Sequence, residues 1–153
     1  VAHETTGPGF RLSDRLLGAE SSLELRLWGL KAWGSYTWTH SVNDAGEAMP
    51  EIAEHGATAG LGYAIGKHVR ATLRGHFLGQ RPNPQTITAT GRRVIGSAVV
   101  LHGSLSFLDL NGVDLHVHAQ NLLDSTYYHS SNRAVERYRQ PQQTVRVEAA
   151  YHF

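Results

Sequence analysis

In residues 69–77 every second residue is apolar or glycine, and every residue between is Arg, Thr or His. Val69, Ala71, Leu73, Gly75 and Phe77 alternate with Arg70, Thr72, Arg74 and His76. Successive side chains point to opposite faces only in a β-strand, so this stretch has one apolar and one basic face. The same period recurs from about Glu20 onward. Leu23, Leu25 and Leu27 make one half-face; Ala32, Gly34, Tyr36 and Trp38 make the next. Ala57, Ala59, Leu61, Tyr63 and Ile65 follow at about 53–65, then Val99, Leu101, Leu105 and Phe107 at about 96–108. Val113, Leu115, Val117 and Ala119 alternate with Asp114, His116, His118 and Gln120. In residues 142–153, Val145, Val147, Ala149, Tyr151 and Phe153 alternate with Thr144, Arg146, Glu148, Ala150 and His152. The chain reads as all-β, with seven strands.

The connections narrow the class. Tight turns are expected near Gly29, at Gly66-Lys67 and at Asn111-Gly112, the last a strong hairpin signal. Long loops are expected at 43–52, 81–95 and 122–141, each rich in Gly, Pro or polar residues. Short turns at one end and long loops at the other mark an antiparallel, up-and-down transmembrane β-barrel, with the short side periplasmic and the long side extracellular. Trp28, Trp38, Tyr63, Phe77, Phe107, Tyr151 and Phe153 fall near strand ends, where interfacial girdles would lie.

Composition agrees with that class. No apolar run approaches the ~20 residues of a transmembrane helix, whereas barrel strands need only ~9–11 and show half their side chains to a polar lumen. A mean hydropathy of -0.32 fits such a wall. A net charge of +1 is too small to argue for a nucleic-acid partner. With no cysteine there is neither a disulfide framework nor a thiolate metal site. Residues 1–17 are polar, carry Gly7-Pro8-Gly9, and are expected to be an extracellular loop or the end of a preceding strand. They show neither a leader-like apolar stretch nor an initiating Met, so the chain is expected to be part of a longer protein.

Candidate residues fall into three groups. His116 and His118, two apart on one strand face, could share a metal, but no carboxylate or Cys completes a ligand spacing, and pore-lining histidine is the plainer reading. His68, His76 and His102 are expected on the same kind of face. Arg26, Arg70, Arg74 and Arg146 are expected to point inward, either attracting an anionic chelate or pairing with Glu24 and Glu148. In the long loops Arg81, Arg92, Arg93, Tyr127, Tyr128, Arg133 and Arg137, with His129 and Tyr138, suit contact with a small anionic or aromatic ligand. Asn121 and Asp124 are expected to cap turns. No nucleophile–base pair, phosphate loop or helical metal motif is present, so no enzyme and no cofactor are expected.

The stretch Asn121-Leu122-Leu123-Asp124-Ser125-Thr126-Tyr127, followed by Pro141, Arg146 and a terminal aromatic strand, resembles the C-terminal end of TonB-dependent outer-membrane receptors. Ser35-Tyr36-Thr37-Trp38 with Pro50 and His55 is similar to that family's "SYT…P…H" pattern, and Gly79-Gln80-Arg81 to its "G-x-R" strand end. The chain departs from the pattern at Glu148, where the family often has Gly. The resemblance covers about 18–153 and implies the C-terminal portion of a barrel of about 22 strands, plugged by an N-terminal domain. It further implies a receptor in the outer membrane of a Gram-negative bacterium, importing a scarce substrate such as a ferric siderophore, haem or cobalamin. The implied partners are outer-membrane lipid, the TonB complex acting through the plug, and the barrel-assembly machinery reading Tyr151 and Phe153. Two other readings stay open on residues alone: a soluble β-barrel holding a small ligand, and a small structural outer-membrane barrel.

Overall fold

The computed structural model describes residues 15–44, 46–83, 94–130 and 137–153. The described residues form eleven strands: β1 (Arg15–Leu27), β2 (Leu30–Val42), β3 (His55–Ile65), β4 (Val69–Leu78), β5 (Arg81–Pro82), β6 (Val94–Ile95), β7 (Ala98–Leu110), β8 (Val113–Gln120), β9 (Tyr128–Ser130), β10 (Arg137–Arg139) and β11 (Thr144–Tyr151). Seven make one sheet in the order β1-β2-β3-β4-β7-β8-β11, and every adjacent pair is antiparallel. The remaining four pair as two small hairpins, β5 with β6 and β9 with β10, inside the long connections. The expected seven-strand, up-and-down order is the one observed. β1 starts at Arg15, ahead of the point near Glu20 where alternation becomes visible in the sequence.

Register carries the alternation across the whole sheet. Leu25 lies opposite Ala32, Ala32 opposite Leu61, Leu61 opposite Leu73, and Leu73 opposite Gly103. Gly103 in turn faces Ala119, and Ala119 faces Val145. One row of small and apolar residues thus crosses all seven strands on one face. A one-residue slip in any pair would move half of it to the other face. The opposite face carries Glu24, Lys31, Arg70, Arg74, His76, His102, His116, His118, Arg146 and Glu148 at the intervening positions.

No second layer covers the apolar face among the described residues. Leu23 is 76% exposed and Val147 61%, while among the described residues only Ile95 and Val100 are buried apolar side chains. The total surface, 11270 Å², is about half as large again as the roughly 7,600 Å² expected of a compact domain of 16.8 kDa. A soluble β-barrel would bury this face in its own core. The sheet is therefore a wall rather than a closed globule.

The turns obey local backbone chemistry. Trp28 and Gly29, and likewise Asn111 and Gly112, both have positive φ (45°, 81° and 54°, 83°), the signature of the hairpin turn that matches strand twist. A bulge between Phe107 and Leu110 precedes the second turn, with Asp109 also at positive φ. At the short-turn end Tyr63, Phe107 and Tyr151 sit on the apolar face; at the other end Trp38 and Phe77 do. His68 is not on a strand as expected. It occupies the turn before β4, where Nδ1 bonds the Leu108 carbonyl at 2.9 Å.

Candidate functional site

The long-connection end is assembled by contacts between loops. Gly79 closes β4 against the start of β3, its N–H donating to the His55 carbonyl at 3.0 Å. A Cβ on Gly79 would overlap that carbonyl oxygen, so only glycine allows the approach. Replacing Gly79 with Ala is expected to cost about 1–3 kcal/mol, because backbone rather than a flexible side chain must move. Equilibrium unfolding of the variant measures it, and an unchanged midpoint would show the approach to be dispensable.

Two residues on, Arg81 is buried at 7% relative exposure. Its Nη2 donates to the Tyr128 carbonyl at 2.6 Å and its Nη1 to the Gly79 carbonyl at 3.4 Å. Burial pushes the guanidinium down from its ordinary range, and Glu51 nearby partly offsets this. The Glu51 N–H donates to the Pro82 carbonyl at 3.0 Å, so all three long connections are linked through residues 81–82. Of the loop cations singled out from sequence, Arg81 thus links the loops to one another.

Around that link the structure gathers several expected residues. The Arg137 guanidinium lies 3.7 Å from the Tyr128 ring centroid, a cation–π contact across the β9–β10 hairpin. Tyr127 meets the His129 ring edge-on at 6.0 Å. Arg92, Arg93 and Arg133 lie outside the described residues. A cleft of about 730 Å³ opens between the 43–54 connection and the β5–β6 hairpin, lined by His40, Ile52, His55, Gln80, Arg81 and Val94 among others. On the apolar face beside it, Tyr36 Oη and His55 Nδ1 bond at 2.7 Å, which joins two parts of the "SYT…P…H" pattern.

His129 supplies a pH dependence. Partial burial, and next the Arg81 charge, hold its imidazole below the usual value of 6.5. The unfolded loop therefore binds a proton at a pH where the packed loop does not. The packing is fully stable above about 6.5 and loses stability as pH falls below it toward the depressed value. Exchange of the Gln140 amide, which bonds the Tyr127 carbonyl, is expected to accelerate relative to bulk in that window, and His129→Gln should abolish the change. Identical pH profiles for parent and variant would refute the assignment.

The polar face is the second candidate surface. Glu24 pairs with Arg26 at 2.6 Å and with Lys31 at 3.0 Å, and Arg146 pairs with Glu148 at 3.3 Å. These are half-exposed pairs and add little stability individually. They match the expected Arg–Glu pairing for Arg26 and Arg146 but not for Arg70 and Arg74, which make no ion pair with a described carboxylate. His116 and His118 lie side by side with ring centroids 6.3 Å apart, and His116 Nδ1 bonds Ser106 Oγ at 2.9 Å. Among the described residues no three of His, Asp and Glu come together as a metal-ligand set. Trp33, absent from the sequence candidates, lies on this face over Gly60. The available signal was the run of glycines at 56, 60 and 62, which strips β3 of side chains opposite a large aromatic.

Comparison with known proteins bears on fold. No protein-family model matches the sequence, and neither does any curated protein at a significant level. Solved structures do match. The ferric-catecholate import receptor Fiu from E. coli K12 superposes with a TM-score of 0.76 at 20% identity, over 92% of this chain and 21% of that one. The ferripyoverdine receptor of the outer membrane of Pseudomonas aeruginosa gives 0.75 at 12% identity, over 90% and 19%. The copper transporter OprC gives 0.73 at 21% identity, over 92% and 23%. The chain spans about a fifth of the length of these proteins. With the two-faced sheet, the short turns and the linked long connections, the fold of this chain is that of a stretch of the barrel wall of TonB-dependent receptors.

Proposed function

We propose that the chain forms the C-terminal wall and outer loops of an importer in the outer membrane of a Gram-negative bacterium, and that its cargo is a small metal chelate or metal ion. The observation that carries this is the uncovered apolar face running in register through all seven strands, backed by a face of Arg, His and Ser. Such a sheet needs lipid on one side and a polar interior on the other. Receptors of the same fold are described as importing ferric catecholate, binding ferripyoverdine or transporting copper, which supports the cargo class.

In this reading the long connections face outward and hold Tyr127, Tyr128, Arg137 and the residues around them toward an arriving ligand. Arg92, Arg93 and Arg133 belong to the same loops by sequence. Residues 1–14 would be an outer loop or the end of a preceding strand; the C-terminal barrel portion would start at Arg15, three residues ahead of the boundary expected from sequence. Energy would reach the complete protein from the TonB complex through a plug domain. Tyr151 and Phe153, both exposed with rings 6.2 Å apart, would serve as the signal read during barrel assembly. The test is transport. Cells carrying the complete protein should take up a metal chelate or free metal only when TonB is present, and the protein should fractionate with the outer membrane. Uptake that ignores TonB, or a protein recovered in the soluble fraction, would remove the reading.

A further inference from the structure

The apolar face is not evenly covered with side chains. In register, one row runs Leu23, Gly34, Ala59, Gly75, Leu101 across β1, β2, β3, β4 and β7. Three small residues therefore lie between two leucines. The next row toward the short turns, Leu25, Ala32, Leu61, Leu73, bounds the depression on that side. The result is a hollow of about 820 Å³ whose floor is Gly34, Ala59 and Gly75. Toward the long connections the row reads Ser21, Tyr36, Ala57, Phe77, so a groove continues over Ala57 between two aromatic residues. It leads to His55, whose Nδ1 bonds the Tyr36 hydroxyl at 2.7 Å.

Beyond those aromatic residues the same face turns basic. His55 lies opposite Trp38, His40 opposite Leu17 and Arg15 opposite Val42, all at apolar-face positions. Successive members of this diagonal stand about 7–8 Å apart. The His40 ring stacks beside Trp38 with centroids 6.3 Å apart. Arg15 and His40 are exposed, and Arg15 makes no ion pair with a described carboxylate. β1, β2, β3 and β4 carry no carboxylate at any apolar-face position. Glu54, just ahead of β3, accepts the Trp38 indole N–H at 3.4 Å. When the Tyr36 hydroxyl donates to Nδ1, His55 keeps its Nε2–H free to donate. Trp38 and Phe77 mark the level of an interfacial girdle, so the basic side chains stand where lipid headgroups lie.

Resting on the outer-membrane reading, we propose that this groove is a site on the outside of the barrel for one anionic, phosphate-bearing lipid of the outer leaflet. An acyl chain fills the hollow over Ala59, and the phosphate meets Arg15, His40 and His55. The hollow calls for hydrocarbon and its basic mouth for an anion, and such a lipid joins the two in one molecule. A second copy of this chain fits less well. Two copies inserted the same way would set their basic rims at one level, cation against cation.

The test uses the complete protein that carries this chain, purified in a neutral detergent and titrated with single lipids by native mass spectrometry. Anionic phosphatidylglycerol is expected to bind about tenfold more tightly than zwitterionic phosphatidylcholine. Arg15→Gln should weaken phosphatidylglycerol about fivefold and phosphatidylcholine by less than about twofold. Ala59→Leu fills the hollow and should weaken both lipids. Ala149→Leu, on the same face of β11 and outside the hollow, should weaken neither. Heat-modifiable gel migration reports whether each variant is folded. Equal affinity for the two lipids, or parental affinity in folded Arg15→Gln and Ala59→Leu, overturns the site. Displacement of the lipid by inorganic phosphate would make it an ion site, and a dimer dissociated by Ala59→Leu would make it an interface between copies; either result overturns the proposal. Fractionation of the complete protein is scored separately. Recovery in the soluble fraction removes the outer-membrane reading beneath the site, and an outer-membrane protein with no lipid preference removes the site alone.

Discussion

Leu73→Arg is expected to destabilise the folded barrel by about 2–4 kcal/mol, while Thr72→Arg, one residue away, changes stability little. Leu73 sits mid-strand in β4, between Leu61 on β3 and Gly103 on β7, in the row of the apolar face that crosses every strand. At that depth a lipid-facing guanidinium loses its hydration with no carboxylate to meet it. Thr72 points to the other face, opposite Gly62 and Ser104, where an added cation remains in a polar environment. The contrast decides between membrane and water. Leu73 is 43% exposed, and in a soluble protein a charge at so exposed a position would change stability by about half a kcal/mol at most. A third variant grades the effect. Val99→Arg lies on the same face but beside the long-connection end, where the penalty falls to about 0–1 kcal/mol. Urea unfolding of the complete protein in lipid vesicles measures all three. Equal costs for Leu73→Arg and Thr72→Arg would refute the assignment of faces.

That an apolar and a polar face could be told apart in the sequence reflects how strands work. With a period of two, Val69 to Phe77 declare their own two sides without reference to any partner, and the Asn111-Gly112 turn fixes the neighbour's register locally. Seven such stretches in a row left little freedom in strand order. What stayed hidden depends on pairing at a distance. Nothing local to Gly79 says that the His55 carbonyl will lie on it, and nothing local to Trp33 says that β3 will bring Gly60 beneath its ring. Arg81 is the clearest case: in sequence it is a loop cation beside Pro82, and only the β5–β6 and β9–β10 hairpins, each too short to show a period, bury it against Tyr128. His68 shows the opposite error, since its parity matched β4 while the three-residue turn took it for the Leu108 carbonyl. Loop function is therefore the least legible part, because two of the long connections are tied to the third through Arg81 and Pro82, far apart in sequence from their partners.

Asn121→Ala is the other substitution with a large expected effect, about 3–4 kcal/mol, and it falls outside the sheet. Asn121 is 2% exposed at the exit of β8. Its Nδ2 donates to the carbonyls of Ser125 at 2.9 Å and Pro141 at 3.2 Å, and its Oδ1 accepts the Ser125 N–H at 2.9 Å. One side chain therefore closes the turn after β8 and ties it to the approach to β11, across twenty residues of sequence. Asp124 repeats the connection, accepting the Gln143 N–H at 3.1 Å. Alanine leaves one donor and two acceptors without their partner, at about 1–3 kcal/mol for each group that water cannot reach. It must also hold the φ of 51° that Asn tolerates better than Ala. Two further variants separate these causes. Asn121→Gly relaxes the backbone but restores no hydrogen bond, so it should recover only about 1 kcal/mol. Asn121→Asp keeps the acceptor for Ser125 and sets a charge against the Ser125 and Pro141 carbonyls, so it should stay well below the parent. If Gly matched the parent, strain alone would explain the position and the link to β11 would be dispensable. If Gly stayed near Ala, the amide itself docks the final strand, and loss of folded protein should exceed any loss of ligand binding by the protein that remains folded.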